Sequence, residues 1–196
     1  MNVEHPFDPL FSGESRVLIL GSFPSVRSRA QGFFYGHPQN RFWKVLAALF
    51  EEPVPVTVRQ KRELILRNRL ALWDSIARCE ITGSSDASIR DVQANDLRMI
   101  LDRCPVRQIF CNGKKSQEMF DRYIRPVIER EAVCLPSTSP ANAQWTLERL
   151  VQAWSVVREA AGVNAPLPGI GEAPDFAGEV PRLCAGDPEE ALGAWH

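Results

Sequence analysis

The sequence predicts a single α/β domain, a three-layer α/β/α fold with a mainly parallel central sheet. Two observations lead to this prediction. Short apolar runs that end at small or polar residues alternate with longer segments whose apolar residues recur at helical spacing. The 196 residues also suffice for one such domain but hardly for two. Strands separated by helices imply parallel pairing with helices on both faces of the sheet.

Three apolar runs have the pattern of buried parallel strands, namely Arg16–Leu20, Val106–Cys111 and Ala132–Leu135. A shorter extended piece is expected over Leu72–Ile76. In open α/β sheets ligands bind beyond the carboxyl ends of the strands. The loops that follow the three strands are therefore predicted to form the functional site.

Helical spacing of apolar residues predicts five helices between and after these strands. They begin near Phe42, Arg59, Leu97, Lys114 and Thr146. The second is expected to reach Leu70, the fourth Tyr123 and the last Ala160.

The charge is unevenly distributed along the chain. Residues 163–196 hold five Pro, five Gly, six acids and one Arg, a composition that predicts a disordered acidic tail. Residues 1–162 form the predicted domain, and their 22 basic and 18 acidic side chains permit binding to phosphates. Met1–Leu10 contains no Lys, no Arg and no apolar run, which argues against a signal peptide and favours a cytoplasmic protein away from membranes.

Several function classes lack their motifs. The five cysteines form no C-x-x-C pair, so neither a metal site nor a cofactor is predicted. The loop over residues 21–43 contains no phosphate-binding glycine fingerprint and no G-x-S-x-G. A nucleotide-binding α/β domain is thereby disfavoured, as is a serine hydrolase.

The three loops instead combine aromatic, amide and hydroxyl side chains. The first contains the aromatic triplet Phe33–Tyr35 and Asn40, which suit stacking on a planar base and hydrogen bonding to its edge. The second places Asn112 at a strand-to-helix turn. The third, Leu135–Asn142, is rich in hydroxyls and stiffened by two prolines, which suits donation to phosphates.

Taken together, these segments resemble the uracil-DNA glycosylase superfamily. The sequence FYGHPQNRFWKVL resembles the HP-x-NRFWK segment of mismatch-specific uracil-DNA and thymine-DNA glycosylases. CNGKKSQEMF resembles their strand-to-helix segment, and LPSTSPANAQWTLERLVQAW resembles their closing motif and last helix. The resemblance spans about residues 14–160 and implies a uracil-DNA glycosylase-like fold.

One departure separates this chain from the mismatch-specific enzymes. Phe23 stands where their G-x-N-P-G segment carries the catalytic Asn, and the G-S-F-P-S form is similar to the hypoxanthine-DNA glycosylase branch. That resemblance implies that Asn40 takes over catalysis, that Asn112 contacts the base edge and that Tyr35 stacks on its face. Phe23 is expected to line the base pocket.

The remaining expected site residues contact DNA. They are Ser137, Thr138, Ser139, Arg41 and Lys114. The expected substrate is double- or single-stranded DNA that carries a deaminated base, and the expected product is hypoxanthine released from deoxyinosine. The protein is expected to act as a monomer in the cytoplasm, associated with the nucleoid through its binding to DNA. The loop over residues 21–43 contains no acid and no Lys, which fits dissociative cleavage around a water held by an amide and argues against a lyase.

Alternatives remain open at this stage. The enzyme could remove uracil from mismatched or single-stranded DNA, because uracil and hypoxanthine both present a carbonyl beside a ring N–H. A non-catalytic single-stranded nucleic-acid binding module could use the same aromatic residues. Asn40 could simply cap the helix that begins near Phe42.

Overall fold

The computed structural model of the protein describes residues 2–81 and 89–162. The strands are β1 (Asn2–Glu4), β2 (Val17–Gly21), β3 (Leu70–Asp74), β4 (Ile76–Glu80), β5 (Arg90–Ala94), β6 (Gln108–Asn112) and β7 (Ala132–Leu135). The helices are α1 (Val26–Gln31), α2 (Phe42–Phe50), α3 (Val58–Arg67), α4 (Arg98–Leu101), α5 (Lys114–Met119), α6 (Arg125–Ile128) and α7 (Leu147–Ala160). The predicted tail, residues 163–196, lies outside the described residues.

Four parallel strands form the sheet on which the site is built, in the order β3-β2-β6-β7. Gly21 pairs with Asp74 on one side of β2, and Leu20 pairs with Cys111 on the other. At the outer pair Asn112 lies opposite Leu135. The carboxyl ends of all four strands therefore meet at one edge, and the predicted α/β fold with a mainly parallel sheet is confirmed.

The order of the strands also fixes where a ligand can bind. The connection from β2 to β3 runs along the sheet in the opposite direction from the connection from β6 to β7. Because such crossovers are right-handed, their helices cover opposite faces of the sheet. The direction changes between β2 and β6, and the crevice at such a switch point is the usual binding site of an open α/β sheet.

A second sheet was not predicted. Strands β1, β4 and β5 form a small antiparallel sheet in the order β1-β4-β5. The chain passes from β3 into β4 at Ser75, so the expected piece Leu72–Ile76 belongs to both sheets. Its pattern could not reveal this change, because apolar spacing within one run does not say which partner strand it meets.

Two other predicted elements differ in extent, and one helix was not predicted. The helix expected over Arg59–Leu70 ends at Arg67, because Leu70 already begins β3. The helix expected over Lys114–Tyr123 is divided by a π-helical turn, Phe120–Ile124. The first loop itself contains α1, which the polar composition of the segment concealed.

Residues of both helical layers and of the parallel sheet form the main core. Trp154 and Phe42 are its largest fully buried side chains, and their rings meet edge to face. The Trp154 indole N–H donates to the Pro136 carbonyl at 3.0 Å. Helix α7 thereby supports the segment that follows β7. Within residues 2–81 and 89–162, no helix combines the length and apolar character that crossing a membrane requires.

Candidate active site

A cavity of about 280 Å³ opens at the carboxyl edge of the parallel sheet. This size is close to the lower end of the range of ligand pockets and suits a single base better than a larger ligand. All four parallel strands lead into its wall. Its polar and aromatic lining includes Ser22, Phe23, Tyr35, His37, Asn40, Asp74, Asn112, Ser137, Thr138 and Ser139.

The two asparagines predicted for the site are joined through a single hydroxyl. Thr138 Oγ1 donates to Asn40 Oδ1 at 2.9 Å and accepts from Asn112 Nδ2 at 3.0 Å. Asn112 Oδ1 in turn accepts from the Thr138 backbone N–H at 3.0 Å. Residues from the first, second and third loops therefore form one hydrogen-bonded chain along the cavity.

Backbone donors fix the direction of this chain. Asn40 Oδ1 also accepts from the Phe42 N–H at 2.9 Å, and a backbone N–H can only donate. With two donors on Oδ1, the Asn40 Nδ2 group is the end of the amide that can bind a water or a substrate. In the same way Asn112 keeps one Nδ2 hydrogen beyond the one given to Thr138. Both amides thus present donors to the cavity.

Asn40 also makes the hydrogen bond expected of a residue that caps helix α2. The bond from the Phe42 N–H satisfies a donor at the first turn of α2, as an N-terminal cap does. Capping and a role in the cavity are therefore compatible, because they use different atoms of the amide.

Arg41 holds the third loop in place. Its guanidinium donates to the carbonyls of Ser139 at 2.6 Å and Asn142 at 2.9 Å, and to those of Thr138 and Trp145. A planar fork of donors suits such a set of acceptors. The structure thus gives Arg41 a positioning role that the expected DNA contact did not include.

The structure corrects the expectation for Thr138. Its side chain is fully buried and its hydroxyl is used within the chain of amides, so it cannot reach a phosphate on the surface. Ser137 and Ser139 are half-buried at the cavity rim, and Lys114 is exposed at the start of α5. These three remain available as phosphate contacts.

Tyr35 and Phe23 form apolar walls of the cavity. The Tyr35 ring stacks on Phe42 with centroids 3.8 Å apart, so only its other face is open to a base. Phe23 is 8% exposed and packs with a small second core, which includes Ile76 and Met119. Phe23 therefore belongs both to a core and to the pocket wall.

Tyr35 has an unusual backbone and hydroxyl. Its φ of 49° lies in the left-handed region, which costs energy for a residue with a side chain and is common at functional sites. Burial, together with the charge of Asp74, raises the pKa of its hydroxyl, and the nearby Asn112 amide opposes this increase. The hydroxyl thus stays protonated under ordinary conditions.

Sequence reasoning missed Asp74 and His5. Asp74 ends β3, the one parallel strand whose following loop was not examined for site residues. Its Oδ2 lies 2.7 Å from His5 Nε2, across 69 residues of sequence. The rule on carboxyl ends of strands could have identified Asp74, but no sequence pattern connects it with His5.

No group of three or more His, Cys, Asp or Glu side chains within residues 2–81 and 89–162 is arranged to hold a metal ion. Cys111 lies just behind the cavity edge, and burial raises the pKa of its thiol to about 12. A thiol of this kind is a poor nucleophile, because the thiolate is the reactive form.

The fold and the site define a class of protein: an α/β domain with a base-sized, amide-lined pocket at its topological switch point. The family model described as the uracil DNA glycosylase superfamily matches residues 9–158. The chain therefore belongs to the uracil DNA glycosylase superfamily, as its motifs predicted.

Two curated relatives carry the same description, hypoxanthine DNA glycosylase. The protein from Methanosarcina barkeri is 32% identical over 138 residues, which cover 69% of this chain and 86% of the relative. The protein from Methanosarcina acetivorans is 30% identical over 149 residues, covering 75% of this chain and 93% of the relative. The expected DNA glycosylase is thus confirmed at the level of the family.

A solved structure supports the fold. The solution NMR structure of a Methanosarcina acetivorans protein, described as a candidate uracil DNA glycosylase, superposes with a TM-score of 0.69 at 29% identity. The match covers 82% of this chain and 99% of that one.

Proposed function

We propose that this protein is a monofunctional DNA glycosylase that hydrolyses the N-glycosidic bond of deoxyinosine in DNA and releases hypoxanthine. The observation that carries the proposal is the chain Asn40–Thr138–Asn112, which holds two amides at fixed orientation along a base-sized cavity. The hypoxanthine DNA glycosylases that this chain resembles support the choice of base.

The reaction needs a base turned out of the duplex and a water near the sugar carbon C1′. As the bond from C1′ to the base breaks, its electron pair leaves with the base and positive charge develops on the sugar. Water then adds to C1′ and loses a proton, and the departing base takes up a proton from the solvent, giving an abasic site and the free base. Asn40 holds this water by donating from Nδ2, since its Oδ1 already has two donors.

Asn112 and the aromatic walls bind the base. The remaining Nδ2 hydrogen of Asn112 donates to a carbonyl on the base edge. The open face of Tyr35 stacks on the ring, and Phe23 closes the pocket on another side. Stacking of this kind contributes about 1–3 kcal/mol per base.

The rim binds the DNA backbone. Ser137, Ser139 and Lys114 contact phosphates next to the extruded nucleotide, while Arg41 keeps the third loop in the shape that presents the two serines. In this proposal the protein acts as a monomer on double- or single-stranded DNA. Its binding to DNA would place it at the nucleoid.

The direct test is a strand-cleavage assay on end-labelled duplexes and single strands that contain one deoxyinosine, deoxyuridine or deoxyxanthosine, with EDTA present and alkali added afterwards. We expect cleavage at deoxyinosine. Cleavage at deoxyuridine alone would retain the superfamily and replace the substrate, in agreement with the description of the solved relative. Binding without release of any base would support the nucleic-acid binding module instead.

A further inference from the structure

A buried pair of hydrogen-bonded side chains, His5 and Asp74, lies at the wall of the cavity. The side chains of His5 and Asp74 are 3% and 6% exposed, and their Nε2 and Oδ2 atoms are 2.7 Å apart. A carboxylate so deeply buried is costly unless it is paired and hydrogen bonded. His5 reaches it from the segment after β1 and is itself enclosed by the rings of Phe7, Phe23, Phe34 and Trp73.

The second oxygen of the carboxylate lies over Gly21, which also lines the cavity. A Cβ added at Gly21 would overlap Asp74 Oδ1, so the carboxylate lies directly over this glycine, at the end of β2. The Tyr35 hydroxyl lies 3.2 Å from the same point. Asp74 is among the residues that line the cavity, and within residues 2–81 and 89–162 it is the only acidic residue in that lining.

Asp74 and Asn112 flank the end of β2 on opposite sides. They end β3 and β6, the two neighbours of β2 in the sheet. The buried Tyr35 hydroxyl lies near both residues, since the charge of Asp74 raises its pKa and the Asn112 amide lowers it. It makes no hydrogen bond of ordinary geometry to the described residues. The cavity lining therefore contains an acceptor, the Asp74 carboxylate, on the β3 side of β2 and a donor, the Asn112 amide, on the β6 side.

An acceptor and a donor that line one cavity match one kind of base edge. Hypoxanthine, xanthine and uracil carry a ring N–H next to a carbonyl, which such a pair can bind. Adenine and cytosine instead carry a ring nitrogen with a lone pair next to an amino group. In the same pose, that lone pair would face the carboxylate and the amino group would face the amide donor. Buried groups left unpaired in this way discriminate strongly against the wrong ligand.

We propose that Asp74, held by His5, is a specificity-determining residue that accepts the ring N–H which deamination creates on adenine or cytosine. This inference rests on the proposed function, because it places an extruded base in the cavity. It adds that the site rejects undeaminated adenine by repulsion as well as accepting hypoxanthine by attraction. Guanine and xanthine both carry this N–H, so Asp74 does not separate them.

The test compares binding and release for the wild type and Asp74→Asn. Binding is measured with duplexes that contain non-cleavable 2′-fluoro analogues of deoxyinosine and deoxyadenosine, and release with the cleavable deoxyinosine duplex. Asparagine has the same shape but can also donate, so we expect the preference for inosine over adenosine to fall about 10-fold or more. The matched control is Asp96→Asn, an exposed acid paired with Arg98 outside the cavity. We expect it to keep the wild-type preference.

A second measurement uses the unaltered protein and so does not depend on folding of the variant. A non-cleavable 1-methylinosine analogue replaces the proposed N–H by a methyl group, and we expect its binding to be at least about 10-fold weaker than that of the inosine analogue. Equal binding of the two analogues would overturn the proposal. So would a folded Asp74→Asn protein that keeps the full preference for inosine.

The same measurements separate the two proposals. A wild type that binds the inosine analogue preferentially but releases no base would refute the proposed reaction and leave base reading by Asp74 in place. If the wild type releases hypoxanthine while Asp74→Asn keeps the full preference for inosine, the proposed reaction stands and the role of Asp74 is refuted. If the wild type neither releases a base nor prefers inosine, both proposals are refuted.

Discussion

At the residue scale, Thr138 shows how one buried hydroxyl can organise a site. It was expected at the DNA surface and instead joins Asn40 to Asn112. A single Oγ1 atom accepts from one amide and donates to the other, which fixes the side of each amide that meets the cavity. The asparagines could be named from the sequence, but their orientation depends on this contact across 98 residues.

This role predicts different effects of two substitutions at the same position. Thr138→Val keeps the shape but leaves Asn40 and Asn112 without their shared partner, which costs about 1–3 kcal/mol when the groups are buried. We expect the single-turnover rate constant for release of hypoxanthine, measured at saturating enzyme, to fall by about 10-fold or more. Thr138→Ser retains the hydroxyl and should restore most of this rate constant. If Val and Ser lower the rate constant equally, the hydroxyl does not position the amides.

At the scale of elements, the third loop depends on Arg41. Its guanidinium binds main-chain carbonyls between Thr138 and Trp145, a segment that belongs to no helix or strand. Arg41→Lys replaces a planar fork by a compact ammonium that cannot span these acceptors. We expect a loss of unfolding free energy of about 2 kcal/mol or more, measured by urea denaturation.

The control for Arg41 is Arg59→Lys in α3, where the side chain is exposed and pairs with Glu63 four residues away. Exposed pairs of this kind contribute little to stability. We expect its urea midpoint to match that of the wild type. A midpoint for Arg41→Lys that also matches the wild type would contradict the anchoring role.

The second loop depends on a glycine. Gly113 has a φ of 97°, and a Cβ there would lie 2.9 Å from the Ser137 Cβ. Gly113→Ala therefore adds both backbone strain and a contact with the third loop, and we expect a loss of about 1–3 kcal/mol in unfolding free energy. Gly13→Ala, where a Cβ meets nothing within 4 Å, is the matched control. Equal urea midpoints for both variants would refute this account.

At the scale of the whole molecule, buried acids that stay protonated predict how stability changes with pH. Burial raises the pKa of Cys111 from 9.0 to about 12, and it also raises the pKa of Tyr35 above its usual value of 10.0. In the unfolded chain both groups ionise at their usual values, whereas in the folded chain they remain neutral. Their stabilisation is therefore complete below pH 9 and is lost as the pH rises from 9 towards 12.

The measurement is urea denaturation at pH 8, 9, 10 and 11. The unfolding free energy should fall above pH 9 by up to about 1.4 kcal/mol per pH unit for each such group. Cys111→Ala should make this decline less steep without abolishing it, since Cys104 and Tyr35 still contribute. A wild-type stability that stays constant from pH 8 to 11 would contradict the account.

Much of the architecture was predictable because local pattern determines it. The strand Ala132–Leu135 was predicted with its observed bounds, and α7 begins directly after the expected Thr146, which caps it. The antiparallel sheet and the pair His5–Asp74 were not predictable in this way. Both depend on contacts between segments far apart in the chain, which no local periodicity records.

The central claim is that the cavity is the active site and that Asn40 performs its chemistry. The most direct test is the single-turnover rate of hypoxanthine release from a deoxyinosine duplex by the wild type and Asn40→Ala. Asn68→Ala, at the end of α3 and the opposite edge of the sheet, is the control. We expect Asn40→Ala to lose at least about 100-fold in rate while Asn68→Ala retains it. A folded Asn40→Ala protein with the wild-type rate would contradict the claim.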